Sequence, residues 1–157
     1  MKLLAYEVDK RSFLGVLNED ETWVYPVSAA GMEYRSMKEL IREVGPSEME
    51  MLDYISKKMP GDVTGAASVE EIKVVSPIAE PDQDIICLGI NYMDHAKESA
   101  RFQKEEFSKP EKAIYFSKRV NRTNDPDGII PAHKNLTNQL DYEAELAVII
   151  KKDAKDV

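Results

Sequence analysis

The chain has 157 residues, 43% of them hydrophobic, which suffices for a packed core and excludes wholesale disorder. Its 21 basic and 29 acidic residues give a formal net charge of -8, the reverse of the balance expected of a nucleic-acid binder. A single cysteine, Cys87, excludes an intrachain disulfide, and no apolar run approaches the ~20 residues of a membrane helix. A cytoplasmic protein with neither a nucleic-acid nor a membrane partner is the expectation.

The N-terminus, Met1-Lys2-Leu3-Leu4-Ala5-Tyr6-Glu7, turns polar too early for the apolar region of a signal peptide, and Leu3–Val8 suits a strand. Phe13-Leu14-Gly15-Val16-Leu17 and Thr22-Trp23-Val24-Tyr25 flank Asn18-Glu19-Asp20-Glu21, the pattern of a hairpin with a longer loop. Ser36 followed by Glu39 reads as a capping box, with Met37, Leu40, Ile41 and Val44 as the apolar stripe and Gly45 as the stop. Pro46-Ser47 opens a second helix predicted to place Met51, Leu52, Ile55 and Met59 on one face, ended by Pro60-Gly61. That periodicity means core packing, not a cofactor box.

Residues 61–68 are small and aperiodic and read as a linker between a small N-terminal domain, 1–70, and a second region, 71–157. Ile72-Lys73-Val74-Val75 is a predicted strand. The apolar run Asp84-Ile85-Ile86-Cys87-Leu88-Gly89-Ile90 is a second one, expected to be buried on both faces. A short helix is expected through His95 and Glu98, then a strand at Ala113-Ile114-Tyr115-Phe116, a loop over 121–128, and an extended Ile129-Ile130-Pro131. Residues 142–150 carry the strongest strand pattern of the C-terminal half. Short strands with few helices predict an α+β, β-rich fold.

Two segments bear chemistry. In Asp141-Tyr142-Glu143-Ala144-Glu145-Leu146-Ala147-Val148, a strand would point Glu143 and Glu145 to the same face, which continues with apolar side chains. Two carboxylates so placed repel unless a cation lies between them, and oxygen donors suit Mg²⁺, Mn²⁺ or Ca²⁺. A solvent-exposed strand start explains the same spacing. In Gly89-Ile90-Asn91-Tyr92-Met93-Asp94-His95-Ala96-Lys97-Glu98, a helix would bring His95 and Glu98 together at i, i+3. The carboxylate could then orient an imidazole that takes a proton from water, although such pairs also decorate ordinary helix surfaces.

Taken together, Gly-Ile-Asn-Tyr-x-Asp-His-x-x-Glu, then Phe116-x-Lys118, then Ile129-Ile130-Pro131, then Asp-Tyr-Glu-Ala-Glu-Leu-Ala-Val resemble the fumarylacetoacetate hydrolase family in order and spacing. The resemblance runs from about Ile72 to the end. It implies the opening strands of a β-rich catalytic roll after a variable small domain. It further implies that Glu143 and Glu145 are two of three carboxylate ligands of a divalent cation. His95 and Glu98 would be the water-activating dyad, and Lys118 a substrate-binding residue near the pocket. By the same resemblance the third ligand, an aspartate, falls beyond Val157, so the chain is expected to be an N-terminal portion, with doubtful turnover by itself and an apolar edge at 142–150 prone to self-association. Lys151 departs from the family's usual glycine, and His133 matches no catalytic element.

The implied activity is metal-dependent hydrolysis of a C–C bond in a 2-oxo acid or 1,3-dicarbonyl, acylpyruvate-like substrate, by a homodimer. Isomerisation, decarboxylation or tautomerisation in the same family is the alternative. A non-catalytic assembly fragment is the competing reading from another class.

Overall fold

The computed structural model describes residues 1–94, 97 and 112–157. Strands β1 (Leu3–Val8) and β2 (Arg11–Leu17) pair antiparallel through a two-residue turn, with Val8 opposite Arg11. Asp9 and Lys10 both take positive φ, 48° and 64°, the mirror-image turn whose twist matches the strands it joins. β3 (Trp23–Pro26) returns beside β2 after the expected longer loop, where the Asn18 side chain accepts from the Thr22 and Trp23 N–H groups. The linker reading of 61–68 gives way here. Ala67–Ser68 forms a short strand, β4, on the outer edge of β3, and β5 (Lys73–Val75) adds to the opposite edge on β1. The result is a five-stranded antiparallel sheet of order β4-β3-β2-β1-β5.

Helix α1 (Met37–Glu43) starts where the sequence predicts, with Ser36 Oγ accepting the Glu39 N–H at 3.2 Å. The Glu39 carboxylate reaches one residue further back than a standard capping box, to the Arg35 N–H at 2.6 Å. Gly45, read as the stop of α1, has φ -94° and instead caps α2 (Pro46–Ser56), its N–H held by Glu48 at 2.8 Å. Val44 closes α1 by returning its own N–H to the Leu40 carbonyl.

Leu52 and Ile55 of α2 are buried as predicted, but Met51 and Met59 are not: they are 44% and 71% exposed. The inward stripe of α2 is Leu52, Ile55 and Ser56, at i, i+3 and i+4. Met51 falls off that arc, and Met59 lies past the helix end. Against these helices the sheet presents Val16 and Tyr25, which join Met37, Leu40, Leu52 and Ile55 in one core. Tyr6 and Val24 are buried on the other face, beside Gly15, and Tyr6 stacks on Phe13 with ring centroids 5.5 Å apart.

Met1–Ala79 and Asn124–Val157 make one compact unit, and Glu80–Thr123 a second. In the second unit β6 (Ile85–Gly89) and β7 (Ile114–Lys118) form a two-stranded antiparallel ribbon. The expectation of a strand buried on both faces fails for β6. Cys87 is buried, but Ile86, which points to the opposite face of the ribbon, is 67% exposed, so only one face is covered. The strand expected over 142–150 is also absent. The segment is exposed and irregular, and among the described residues no strand pairs with it to supply the ladder that defines a strand. The fold is α+β and β-rich.

Candidate functional site

The candidate residues lie on segments of both units, and each is described in the frame of its own unit. In the Glu80–Thr123 unit, β6 ends at Gly89, which sits opposite Ile114; an added Cβ would lie 3.3 Å from Ile114 Cγ2, a tight contact that a small shift of that methyl would relieve. The turn into the next segment is taken not by this glycine but by Ile90, at φ 52°, a conformation a β-branched residue rarely adopts. Met93, Asp94 and Lys97 are helical, and the Lys97 ammonium lies 3.8 Å from Asp94, at i, i+3. His95 and Glu98, the expected proton-handling pair, lie outside the described residues.

Lys118 closes β7, opposite Ile85, with its Nζ 5.9 Å from the Phe116 ring centroid. Residues 116 and 118 share a strand face, which brings the cation over the ring at the outer limit of a cation–π contact. The Phe-x-Lys element is therefore one local arrangement of ring and ammonium on an exposed strand end.

In the other unit, Glu143 and Glu145 lie on the exposed, irregular stretch 142–150. Their oxygens are of the hard type that Mg²⁺, Mn²⁺ and Ca²⁺ take. Among the described residues no group of three His, Cys, Asp or Glu side chains is gathered to hold a metal. Donor chemistry fits such a cation; donor number is that of a partial site. His133, read as a loop histidine, is one: its carbonyl accepts from the Leu136 and Thr137 N–H groups in a turn, at φ 42°.

Two further residues of this unit, Asp125 and Lys151, make long-range ties. Asp125 accepts from the Ser76 N–H at 3.0 Å and from Lys73 Nζ at 3.1 Å, and Lys73 also faces Glu7 of β1 at 3.6 Å. The two carboxylates hold the Lys73 ammonium above its ordinary range, Asp125 contributing most. Lys151, where the family pattern has glycine, donates from its ammonium to the Val44 carbonyl at the C-terminal cap of α1. The signal for the first tie lay in Asn124-Asp125-Pro126-Asp127-Gly128, a turn sequence with a carboxylate to spare. Nothing local foretold the second.

Residues 84–157 match the family model described as fumarylacetoacetate (FAA) hydrolase C-terminal. The oxaloacetate tautomerase YisK of Bacillus subtilis is 30% identical over 169 residues, an alignment covering 97% of this chain and 52% of that protein. The chain belongs to the fumarylacetoacetate hydrolase family. An uncharacterized protein of Staphylococcus epidermidis is 27% identical over all of this family member and 53% of its own length. The chain spans about half the length of these curated relatives. His95, Glu98, Lys118, Glu143 and Glu145 all fall inside the matched region. Among the described residues no helix is long and apolar enough to cross a membrane.

Proposed function

We propose that this chain carries the carboxylate pair and the proton-handling pair of an enzyme that acts on enolisable 2-oxo acids, with keto–enol tautomerisation of a 2-oxo dicarboxylate as the leading reaction. The observation that carries this reading is the similarity to an oxaloacetate tautomerase over 97% of the chain. A second reading is hydrolysis of a C–C bond in an acylpyruvate-like substrate; it is favoured by the family to which residues 84–157 match. Both reactions require an acidic C–H or an enol next to a carbonyl, so one set of residues serves either.

Glu143 and Glu145 would hold a divalent cation as two of its oxygen ligands. When bound, such a cation supplies Lewis-acid polarisation of the 2-oxo group. His95 would carry the proton at an imidazole nitrogen, between the substrate carbon and enol oxygen in tautomerisation or from water in hydrolysis. Glu98 would orient that ring. Lys118 offers a positive charge to a substrate carboxylate.

Calorimetric titration of Mn²⁺ into the purified chain, beside the Glu143→Ala/Glu145→Ala variant, tests the first step. Binding by the wild type that the double variant loses supports the carboxylate assignment, while equal binding by both removes it. Decay of enol-oxaloacetate absorbance, run beside cleavage of an acylpyruvate, separates the two reactions. Acceleration of cleavage alone would reject the tautomerase reading.

A further inference from the structure

Between Asp125 and Lys151 lie 25 residues, 126–150, with no helix or strand, and Glu143 and Glu145 are among them. A stretch of that kind samples many conformations unless its ends are held. Here both ends are held on the unit that contains the N-terminal sheet. At the first end the two oxygens of Asp125 have separate partners, Oδ1 the Ser76 N–H and Oδ2 the Lys73 ammonium, 49 and 52 residues back in the chain. The turn around it is preformed: the Gly128 N–H returns to the Asp125 carbonyl at 3.0 Å, and the Asn124 amide reaches the Ile129 carbonyl at 3.3 Å. At the second end Lys151 is bonded to the Val44 carbonyl, six residues after Glu145.

We propose that Asp125 is a positioning residue, which ties the carboxylate segment to β5 and so limits where Glu143 and Glu145 can be presented to a divalent cation. The inference rests on the reading of those two glutamates as metal ligands. It assigns the N-terminal sheet a part in the site: Lys73 and Ser76 act as the fixed post, and Glu7 steadies Lys73 from β1. A cation that binds one arrangement of the pair gains apparent affinity in proportion to the fraction of molecules holding that arrangement. Release of one end lowers that fraction.

The test compares Asp125→Ala and Asp125→Asn with the wild type and with Arg35→Ala, which deletes the ion pair to Glu39 elsewhere in the same unit. Two readouts are taken. Mn²⁺ affinity is measured by calorimetry. Metal-free distance distributions are measured by time-resolved energy transfer from Trp23, the sole tryptophan, to a label at Val148→Cys in a Cys87→Ser background. Asp125→Ala should broaden the distance distribution and weaken Mn²⁺ binding about three- to tenfold. Asp125→Asn, which keeps an acceptor for Ser76, should fall between, and Arg35→Ala should change neither readout. A broadened distribution with unchanged affinity overturns the positioning role, as does an unchanged distribution. A wild type that takes up no Mn²⁺ overturns the metal reading and the positioning role built on it, while the distance data still report whether Asp125 ties the segment.

Discussion

Tyr25 Oη donates to the Lys58 carbonyl at 2.7 Å, across 33 residues, so a phenol in the core of β3 holds the chain as it leaves α2. The ring is wholly buried. Tyr25→Phe keeps the packing and removes the one donor, leaving a carbonyl short of a partner. The expected loss is about 1–2 kcal/mol, read as a lower urea midpoint with unchanged slope. The Tyr25 phenol is also pushed above its ordinary value, first by burial and then by Asp20 and Asp62. Its neutral form is thus favoured in the folded chain, and the stability it supports is complete below pH 10 and falls as pH rises further.

Gly15 is the tightest point of the sheet. A Cβ there would stand 2.4 Å from Val24 Cγ2, 2.8 Å from the Tyr6 ring and 3.0 Å from the Tyr25 carbonyl. Two of these neighbours are themselves buried and the third is backbone, so none can give way freely. Gly15→Ala should cost on the order of 1–3 kcal/mol or more by thermal or urea unfolding. Gly89→Ala, whose nearest contact is an Ile114 methyl at 3.3 Å, should be milder.

On α2 the buried and exposed apolar residues make opposite predictions. Leu52→Ala should destabilise by about 2–5 kcal/mol, because it opens a cavity beside Leu40, Ile55 and the sheet. Met51→Ala, one position earlier, should stay within about 0.5 kcal/mol of the wild type. Equal losses at the two positions would restore the helical face read from the sequence.

Much of the N-terminal sheet and both helix starts were legible, because alternation, capping residues and proline act locally. The β1–β2 turn was not. Asp9-Lys10 adopts a conformation usually signalled by Asn-Gly, so only the pairing of its flanking strands reveals it. Apolar runs misled in the C-terminal half, since hydrophobicity reports what a segment could bury and not whether a neighbour is there: 84–90 reads as a strand buried on both faces, yet Ile86 is 67% exposed, and 142–150 reads as a strand, yet forms none. At the candidate site, the residue types of Glu143, Glu145 and Lys118 were readable from motif order. The turn sequence around Asp125 offers a carboxylate, but the partners of Asp125 and Lys151 lie 49 or more residues away, and no local pattern specifies them.

Glu48 makes an acid-side prediction. Its carboxyl is held below the usual carboxylate range, first by the Gly45 N–H and then by the Tyr34 hydroxyl, which donates at 2.8 Å. A depressed value in the folded chain means the stability it adds is present above the unfolded value near 4.5 and is lost as pH falls through the lowered one. Melting curves of the wild type and Glu48→Gln should therefore differ at neutral pH and converge below pH 4.5. A gap that persists in acid would assign the effect to shape instead of charge.

The proposed roles of His95 and Glu98 predict different losses and a particular non-additivity. A proton carrier removed from the reacting centre costs about 10²- to 10⁴-fold in rate, so His95→Ala should lower kcat for enol-oxaloacetate by that order with Mn²⁺ affinity unchanged. Glu98→Gln should lose less, because the imidazole remains and only its orientation is loosened. The double variant should then be no slower than His95→Ala alone, since a residue that works through another contributes nothing once that one is gone. Losses that multiply would mean the two side chains act independently, and the pair would not be a dyad. Full activity in His95→Ala would move the proton transfer to another group, and Lys118, the one other side chain assigned to the substrate, would be the next position to replace.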